Sequence, residues 1–343
     1  MQYTLEHRIE AFVRLGQRFA AIGAGEGPEY AVAVIEKARA HNAWFTEENI
    51  RQSFAALGEM LEETSLRTWL STYPFLLSAD PEAPSKTVAV IMAGNIPMVG
   101  FHDLLCVLLG GHKALVKLSS DDAILMPAVV YMLAEIDKEL ASRVEFAQGK
   151  LHSFDAVIAT GSNNTSRYFE YYFGKYPNII RKGRSSIALL QGDEDEAELA
   201  GLAKDVFSYF GMGCRNVTKV YVPQSFDLNR LFGAFYPYAW IINHNKYANN
   251  YDYHRALWLL NGDDLLENGF LLMKEDKALV SPVGSLFYER YADKGVLLEQ
   301  LALRSEEIQC TVGRGMLPFG KAQVPGVSDY ADGVDTIRFL AAL

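Results

Sequence analysis

Cys214 is the residue whose type and setting point most directly to chemistry. It lies in FGMGCRNVTKVYVP (Phe210–Pro223) and is one of only three cysteines in 343 residues. Gly211 and Gly213 let the backbone turn tightly and let a substrate come close. Arg215 adds a cation beside the thiol, which favours the thiolate. A thiolate attacks carbonyl or thioester carbon, so a covalent acyl intermediate is open to it. A cysteine is also commonly a small buried hydrophobe, and on this motif alone the two readings balance. Cys106, inside LLCVLL, and Cys310 read as buried hydrophobes.

Three further clusters offer polar groups at turns. In AGNIPMVGFHDLL, Asn95 can donate its amide to an oxygen that gains charge, an interaction worth about 2.7–4 kcal/mol in a transition state. It can equally just turn the chain. In VKLSSDD, Lys117, Ser119 and Ser120 suit a phosphate or a ribose hydroxyl. Cations and hydroxyls there lean toward NADPH, since NAD sites often use a carboxylate. Asp121 and Asp122 weigh against that lean, and a solvated lysine at a strand end is the plain alternative. Gly161 and Ser162, in ATGSNNTS, suit a phosphate at a helix start. The stretch is no GxGxxG, and an ordinary helix cap explains it equally well. His102, His112, His244 and His254 are weak candidates for a general base.

These turns need elements to hold them. Residues 1 to about 75 read as helices. In FTEENIRQSFAALGEML, Thr46 suits a cap, and Ile50, Phe54, Leu57 and Leu61 share one face. SADPEAPSK (Ser78–Lys86) reads as a loop. From Lys86 strands alternate with helices: TVAVIMA, then HDLLCVLLGG; KALVKLSS, then a long helix over about 123–140; FDAVIATGS, then NTSRYFEYYFG. That alternation implies a parallel α/β sheet with ligands beyond the carboxyl ends of its strands, where Asn95, Lys117 and Gly161 fall. Residues from about 195 to 318 read as a second α/β lobe. Tyr168–Phe173 and Phe235–Trp240 are aromatic runs that could line an acyl pocket or fill a core.

Composition narrows the class. Half the residues are hydrophobic, 22% are charged and the net charge is −10, which argues against a nucleic-acid binder. The cysteines form neither a disulfide framework nor a metal-spaced cluster, so no metal site is expected. MQYTLEHRIEAF lacks the apolar core of a signal peptide. The most apolar stretch, Val88–Phe101, is too short and interrupted to span a bilayer. A reducing cytoplasm is the expected compartment.

Taken in order, Asn95-Ile-Pro97, Lys117-Leu-Ser119-Ser120, Thr160-Gly161-Ser162, Gly211-Met-Gly-Cys214 and Pro318-Phe-Gly-Lys321 resemble the aldehyde dehydrogenase superfamily. The resemblance runs from about residue 86 to the end. It implies two α/β lobes, a Rossmann-like cofactor domain and a catalytic domain, behind a helical N-terminal segment. The expected boundaries are 1–192 for the helical and dinucleotide-binding part, 193–318 for the cysteine domain, and 319–343 for a segment returning toward the cofactor domain.

Two departures refine it. Where hydrolytic members carry Glu-Leu-Gly-Gly-Lys, with the glutamate that activates water, this chain reads Arg181-Lys-Gly-Arg184-Ser-Ser. The glutamate that holds the nicotinamide ribose is also missing, and Ala278 stands ahead of Val280-Ser281-Pro282-Val283. A chain without the water-activating base suits exchange between thioester and aldehyde. In this it resembles the acyl-CoA reductase family, of the bacterial-luminescence fatty acid reductase type.

That resemblance implies NADPH-dependent reduction of a fatty acyl-CoA or other acyl thioester to an aldehyde, with NADH as the other nicotinamide donor. Cys214 is then the nucleophile and Asn95 an oxyanion donor. Lys117, Ser119, Ser120, Gly161 and Ser162 bind the cofactor. An acyl-donating or acyl-activating enzyme is the implied partner. The oligomerisation hairpin ahead of the first cofactor strand is replaced by STYPFLLSADPEAPSK, so a dimer or monomer is expected rather than a tetramer. Two other readings remain open: an acyl-phosphate reductase related to γ-glutamyl phosphate reductase, and a non-catalytic acyl-binding subunit of a larger complex.

Overall fold

The structure is a computed structural model that describes residues 4–77 and 85–343. The loop expected at Ser78–Lys86 therefore lies, apart from its last two residues, outside the described residues, and so does the middle of the segment in place of the hairpin, residues 78–84. The chain divides into two compact units, residues 1–183 with 325–343, and residues 184–324.

The first unit begins with helices Leu5–Ala24, Glu29–His41, Glu47–Met60 and Glu63–Ser71. Thr46 caps the third by accepting the Asn49 N–H at 3.2 Å, and Ile50, Phe54, Leu57 and Leu61 are all buried. Apolar residues spaced three or four apart from Leu5 to Ile22 bury one face of the first helix, whose Phe19 packs edge-on to Phe101.

Strands β1 (Thr87–Ile91), β2 (Lys113–Lys117), β3 (Val144–Phe146), β4 (Ala156–Thr160) and β5 (Asn178–Arg181) form one parallel sheet in the order β3-β2-β1-β4-β5. The middle residues of β1 and β2, and all of β4 up to Thr160, are buried, as expected of parallel strands covered on both faces. Helix Phe101–Leu109 is buried almost all round, because it lies in the core shared by the sheet and the N-terminal helices. The long helix expected over 123–140 is instead two, Leu125–Ile136 and Lys138–Ser142. Asp137 breaks it: its backbone is extended, and its side chain accepts the Leu140 N–H as an N-cap. Residues 325–343 pack in this unit, ending in helix Thr336–Ala341.

The second unit is built on β6 (Ser185–Leu189), β7 (Val217–Pro223), β8 (Leu266–Glu267), β9 (Leu272–Glu275), β10 (Ser285–Tyr291) and β11 (Ile308–Val312). Their order is β11-β6-β7-β10-β9-β8, parallel except for the β8–β9 pair. Among the described residues no helix is long and apolar enough to cross a membrane, and no three His, Cys, Asp or Glu side chains gather as a metal set.

Candidate active site

In the first unit the strand order reverses between β1 and β4, which opens a crevice at their carboxyl ends. The turn after β1 carries Asn95, exposed at its tip. Three contacts shape that turn. Ser53 Oγ, buried on the third N-terminal helix, donates to the Pro97 carbonyl at 2.9 Å. Met98 is held in the left-handed region (φ 57°), and its N–H donates to Asp122 Oδ2 at 2.7 Å. Gly94 faces Ser119 so closely that a Cβ would sit 2.7 Å from the serine side chain, so only glycine lets these two turns meet.

Asp122 is thus not a cofactor ligand but a buried brace. Burial pushes its carboxyl up to about 6, against the opposing effect of the Met98 and Leu125 N–H groups. The other acid, Asp121, is exposed. The loop from Ser119 to Asp122 is also anchored from the N-terminal helices. His41 Nε2 lies 2.6 Å from the Ser120 carbonyl, and Asn42 Nδ2 donates to the Asp121 carbonyl at 3.2 Å. Lys117, half-buried at the end of β2, donates to the Gly149 carbonyl at 3.0 Å. Gly161 follows β4, and Ser162 caps helix Asn163–Phe173 by accepting the Thr165 N–H at 3.2 Å. The structure therefore places Asn95, Lys117, Ser119, Ser120, Gly161 and Ser162 at the carboxyl ends of β1, β2 and β4. One cation, three hydroxyls and a helix start fit the phosphates and ribose of a dinucleotide.

The stretch that replaces Glu-Leu-Gly-Gly-Lys begins at the end of β5. Arg181 is buried and forms an ion pair with Asp103, while its Nη2 donates to Thr336 Oγ1 at 3.1 Å. Its charge is spent inside the first unit. Two histidines are likewise structural. His102 is half-buried with Nε2 2.8 Å from the Val327 carbonyl, and loss of solvent around the ring pushes its imidazole down. His112 Nε2 meets the Leu340 carbonyl at 3.2 Å, and burial lowers it too.

In the second unit, helix Glu196–Phe207 gives way to three successive left-handed residues, Tyr209 (φ 52°), Phe210 (φ 59°) and Gly211 (φ 77°). Glycine accepts this conformation freely. For Tyr209 and Phe210 it costs on the order of 1–3 kcal/mol each, offset by burial of both rings. The Phe210 ring lies 4.4 Å from that of His244, whose side chain also caps helix Asn245–Asn261. Cys214 follows, exposed and outside any disulfide. Arg215, next to it in the chain, gives its Nε to the Ala322 carbonyl. Ala322 and Gly320 in turn donate their N–H groups to buried Asp205, whose carboxyl burial pushes up to about 6. The Pro318–Lys321 motif is fixed in this way to the helix ahead of the cysteine.

Neither partner side chain of the cysteine turn stood out in the sequence. Asn216, fully buried, accepts the Gly213 N–H at 2.7 Å, and Ser186 Oγ donates to the Cys214 carbonyl at 3.1 Å. Cys310 is not fully buried, and its Sγ lies 3.0 Å from Ser186 Oγ. The segment from Asp276 to Leu279 is pinned to β7 by Thr218 Oγ1 on the Leu279 carbonyl (2.7 Å) and by the buried Lys219 amine on the Asp276 carbonyl. A small, partly open pocket lies beside the turn, lined by Phe207, Phe210, Gly211, Tyr247, Leu271 and Ser281 among others. The aromatic runs do not line it. Phe169 and Phe173 pack on the first sheet while Tyr168, Tyr171 and Tyr172 face solvent, and Phe235 is buried against Phe207.

The acyl-CoA reductase (LuxC) family model matches residues 26–230. The chain is 24% identical over 259 residues to the long-chain acyl-protein thioester reductase of Aliivibrio fischeri, covering 69% of this chain and 53% of that protein. It thus spans about half the length of that curated relative. Among solved structures, it is similar to the Mycobacterium tuberculosis aldehyde dehydrogenase complexed with NAD+. The TM-score is 0.61 at 13% identity, over 89% of this chain and 72% of that one. Aldehyde dehydrogenase 21 of Physcomitrella patens gives 0.62 at 12% identity, over 92% and 74%. The NADP-dependent glyceraldehyde-3-phosphate dehydrogenase of Bacillus halodurans, complexed with NADP, gives 0.60 at 14%, over 90% and 73%. The fold is aldehyde dehydrogenase-like.

Proposed function

Since this chain belongs to the acyl-CoA reductase (LuxC) family, we propose that it reduces a fatty acyl thioester to the aldehyde with NADPH, through an acyl group carried on Cys214. The observation that carries this reading is the exposed thiol at the head of β7, in a turn whose backbone is fixed by buried side chains. The relative's name adds a donor class, an acyl group presented on a protein. Acyl-CoA is the simplest probe of that chemistry.

In the proposed reaction Cys214 Sγ bonds to the thioester carbon, and the carbonyl electrons move onto oxygen. The Asn95 amide and the Cys214 backbone N–H are assigned to hold that oxyanion. Its collapse expels the CoA thiolate and leaves the acyl group on sulfur. Lys117, Ser119, Ser120, Gly161 and Ser162 are assigned to hold the dinucleotide, and the bound nicotinamide supplies the hydride that the acyl carbon needs. Breaking the carbon–sulfur bond then releases aldehyde and returns the thiolate. No carboxylate stands between Pro177 and Leu190 to activate water, which favours this outcome over release of free acid.

The test is NADPH consumption with an acyl-CoA, comparing the wild type with Cys214→Ala. The proposal expects turnover in the first only. Equal consumption by both would refute the mechanism, and none by either would favour a binding subunit.

A further inference from the structure

Residues 208–216 carry the chain from the end of helix Glu196–Phe207 to β7, and Cys214 must be presented within them. A helix end leaves carbonyls without helical partners. One side chain, Asn216, collects them here. Its Nδ2 donates to the carbonyls of Ser208 (2.8 Å), Asp205 (3.1 Å) and Val206 (3.2 Å), and its Oδ1 accepts the Gly213 N–H (2.7 Å). An amide has two N–H donors, so three carbonyls share two hydrogens, and each of these four contacts is with backbone. Asn216 is fully buried.

A second clamp comes from β6. Ser186 Oγ lies 3.1 Å from the Cys214 carbonyl and 3.2 Å from the Cys310 N–H. A carbonyl only accepts and an N–H only donates, so the single serine hydrogen goes to the Cys214 carbonyl. Cys310 Sγ, 3.0 Å away, completes the surroundings of that hydroxyl.

The two clamps bracket the nucleophile. Asn216 fixes the peptide that ends in the Gly213 N–H, and Ser186 fixes the one that begins with the Cys214 carbonyl. Between them lies the Gly213–Cys214 peptide, which carries the Cys214 N–H and whose carbonyl accepts the Asn216 backbone N–H at 3.0 Å. We infer that Asn216 and Ser186 are positioning residues for acylation. They orient the Gly213–Cys214 peptide, and with it the sulfur and the oxyanion-binding N–H, without touching the substrate. The inference rests on Cys214 accepting an acyl group, but not on the identity of the donor or of the reductant.

Two reagents separate positioning from mere folding. Iodoacetamide alkylates a thiolate at saturated carbon and forms no oxyanion. p-Nitrophenyl octanoate acylates it through a tetrahedral oxyanion and releases coloured p-nitrophenolate. In the full chain, Asn216→Ala should acylate about 10–100-fold more slowly while alkylating within about threefold of wild type, because displacement by about 1 Å costs up to 10²-fold in an oriented reaction. Ser186→Ala should slow acylation about tenfold, and Ser186→Thr, which keeps the hydroxyl, should recover most of it. Acylation at the wild-type rate in both alanine variants overturns the inference. So does an equal fall in both reactions that tracks loss of folded protein by circular dichroism. If Asn216→Ala does not fold, the Ser186 pair decides by the same rates. A wild type that reacts with the ester but not with acyl-CoA refutes the CoA donor and leaves the inference to the ester rates. An ester burst undiminished in Cys214→Ala refutes both.

Discussion

Asp122→Asn tests the brace behind the Asn95 turn. In the unfolded chain this carboxyl titrates near 3.8, and in the folded chain near 6, because burial disfavours its charge. The folded state therefore holds the proton more tightly. The stability it contributes is full below 3.8 and is lost as pH rises through about 6. At roughly 1.4 kcal/mol per pH unit, the interval corresponds to about 3 kcal/mol. Asparagine carries no charge but keeps an acceptor for the Met98 N–H. The stability of wild type minus that of Asp122→Asn should then fall by most of that about 3 kcal/mol between pH 4.5 and 7.5. Urea unfolding followed by circular dichroism at stepped pH measures it. Taking the difference cancels Asp205, which slopes the same way, and Glu198 and Glu267, whose arginine partners lower them and reverse the slope. A difference flat with pH, or rising with it, would show that the Met98 and Leu125 N–H groups outweigh burial, and the reasoning fails.

Asp103→Ala should destabilise the first unit by about 3–5 kcal/mol, because buried Arg181 would lose its hydrogen-bonded carboxylate and keep only Asp332, 4.0 Å away. Pairing Asp103→Leu with Arg181→Met should recover most of that loss in the same urea titration. Lys117→Ala should weaken NADPH about 10–100-fold and NADH far less, if its amine meets the extra phosphate. Calorimetric titration checks this, and equal loss for both would assign Lys117 to a shared part of the cofactor. Asn95→Ala should lower kcat/KM for an acyl-CoA by about 10²–10³-fold with the dinucleotide Kd unchanged. A matching rise in that Kd would make Asn95 a cofactor contact instead.

Local signals carried much of this fold. Thr46 and the Ile50–Phe54–Leu57 face mark their helix within a dozen residues, and strands β1, β2 and β4 show as short apolar runs ending in polar turns. The places of the candidate residues were legible to the same extent, since Asn95, Lys117, Gly161 and Cys214 each sit where a strand meets a turn. What escaped was set by distance along the chain. Asp122 braces a residue 24 positions away, Ser186 reaches 28 and Arg181 finds Asp103 across 78. No periodicity reports such pairings. Two misses were local. Asp137, three residues before Leu140, had the form of an N-cap inside an apolar helix pattern. Asn216, two residues past the cysteine, was overlooked because its partners include helix-end carbonyls that only the folded turn brings together.

The central claim is that Cys214 takes the acyl group, and intact mass spectrometry after mixing the protein with an acyl-CoA, without NADPH, tests it most directly. The account predicts a mass gain equal to one acyl group, absent in Cys214→Ala and discharged when NADPH is added. An unchanged wild-type mass, or an adduct that persists in Cys214→Ala, would contradict it.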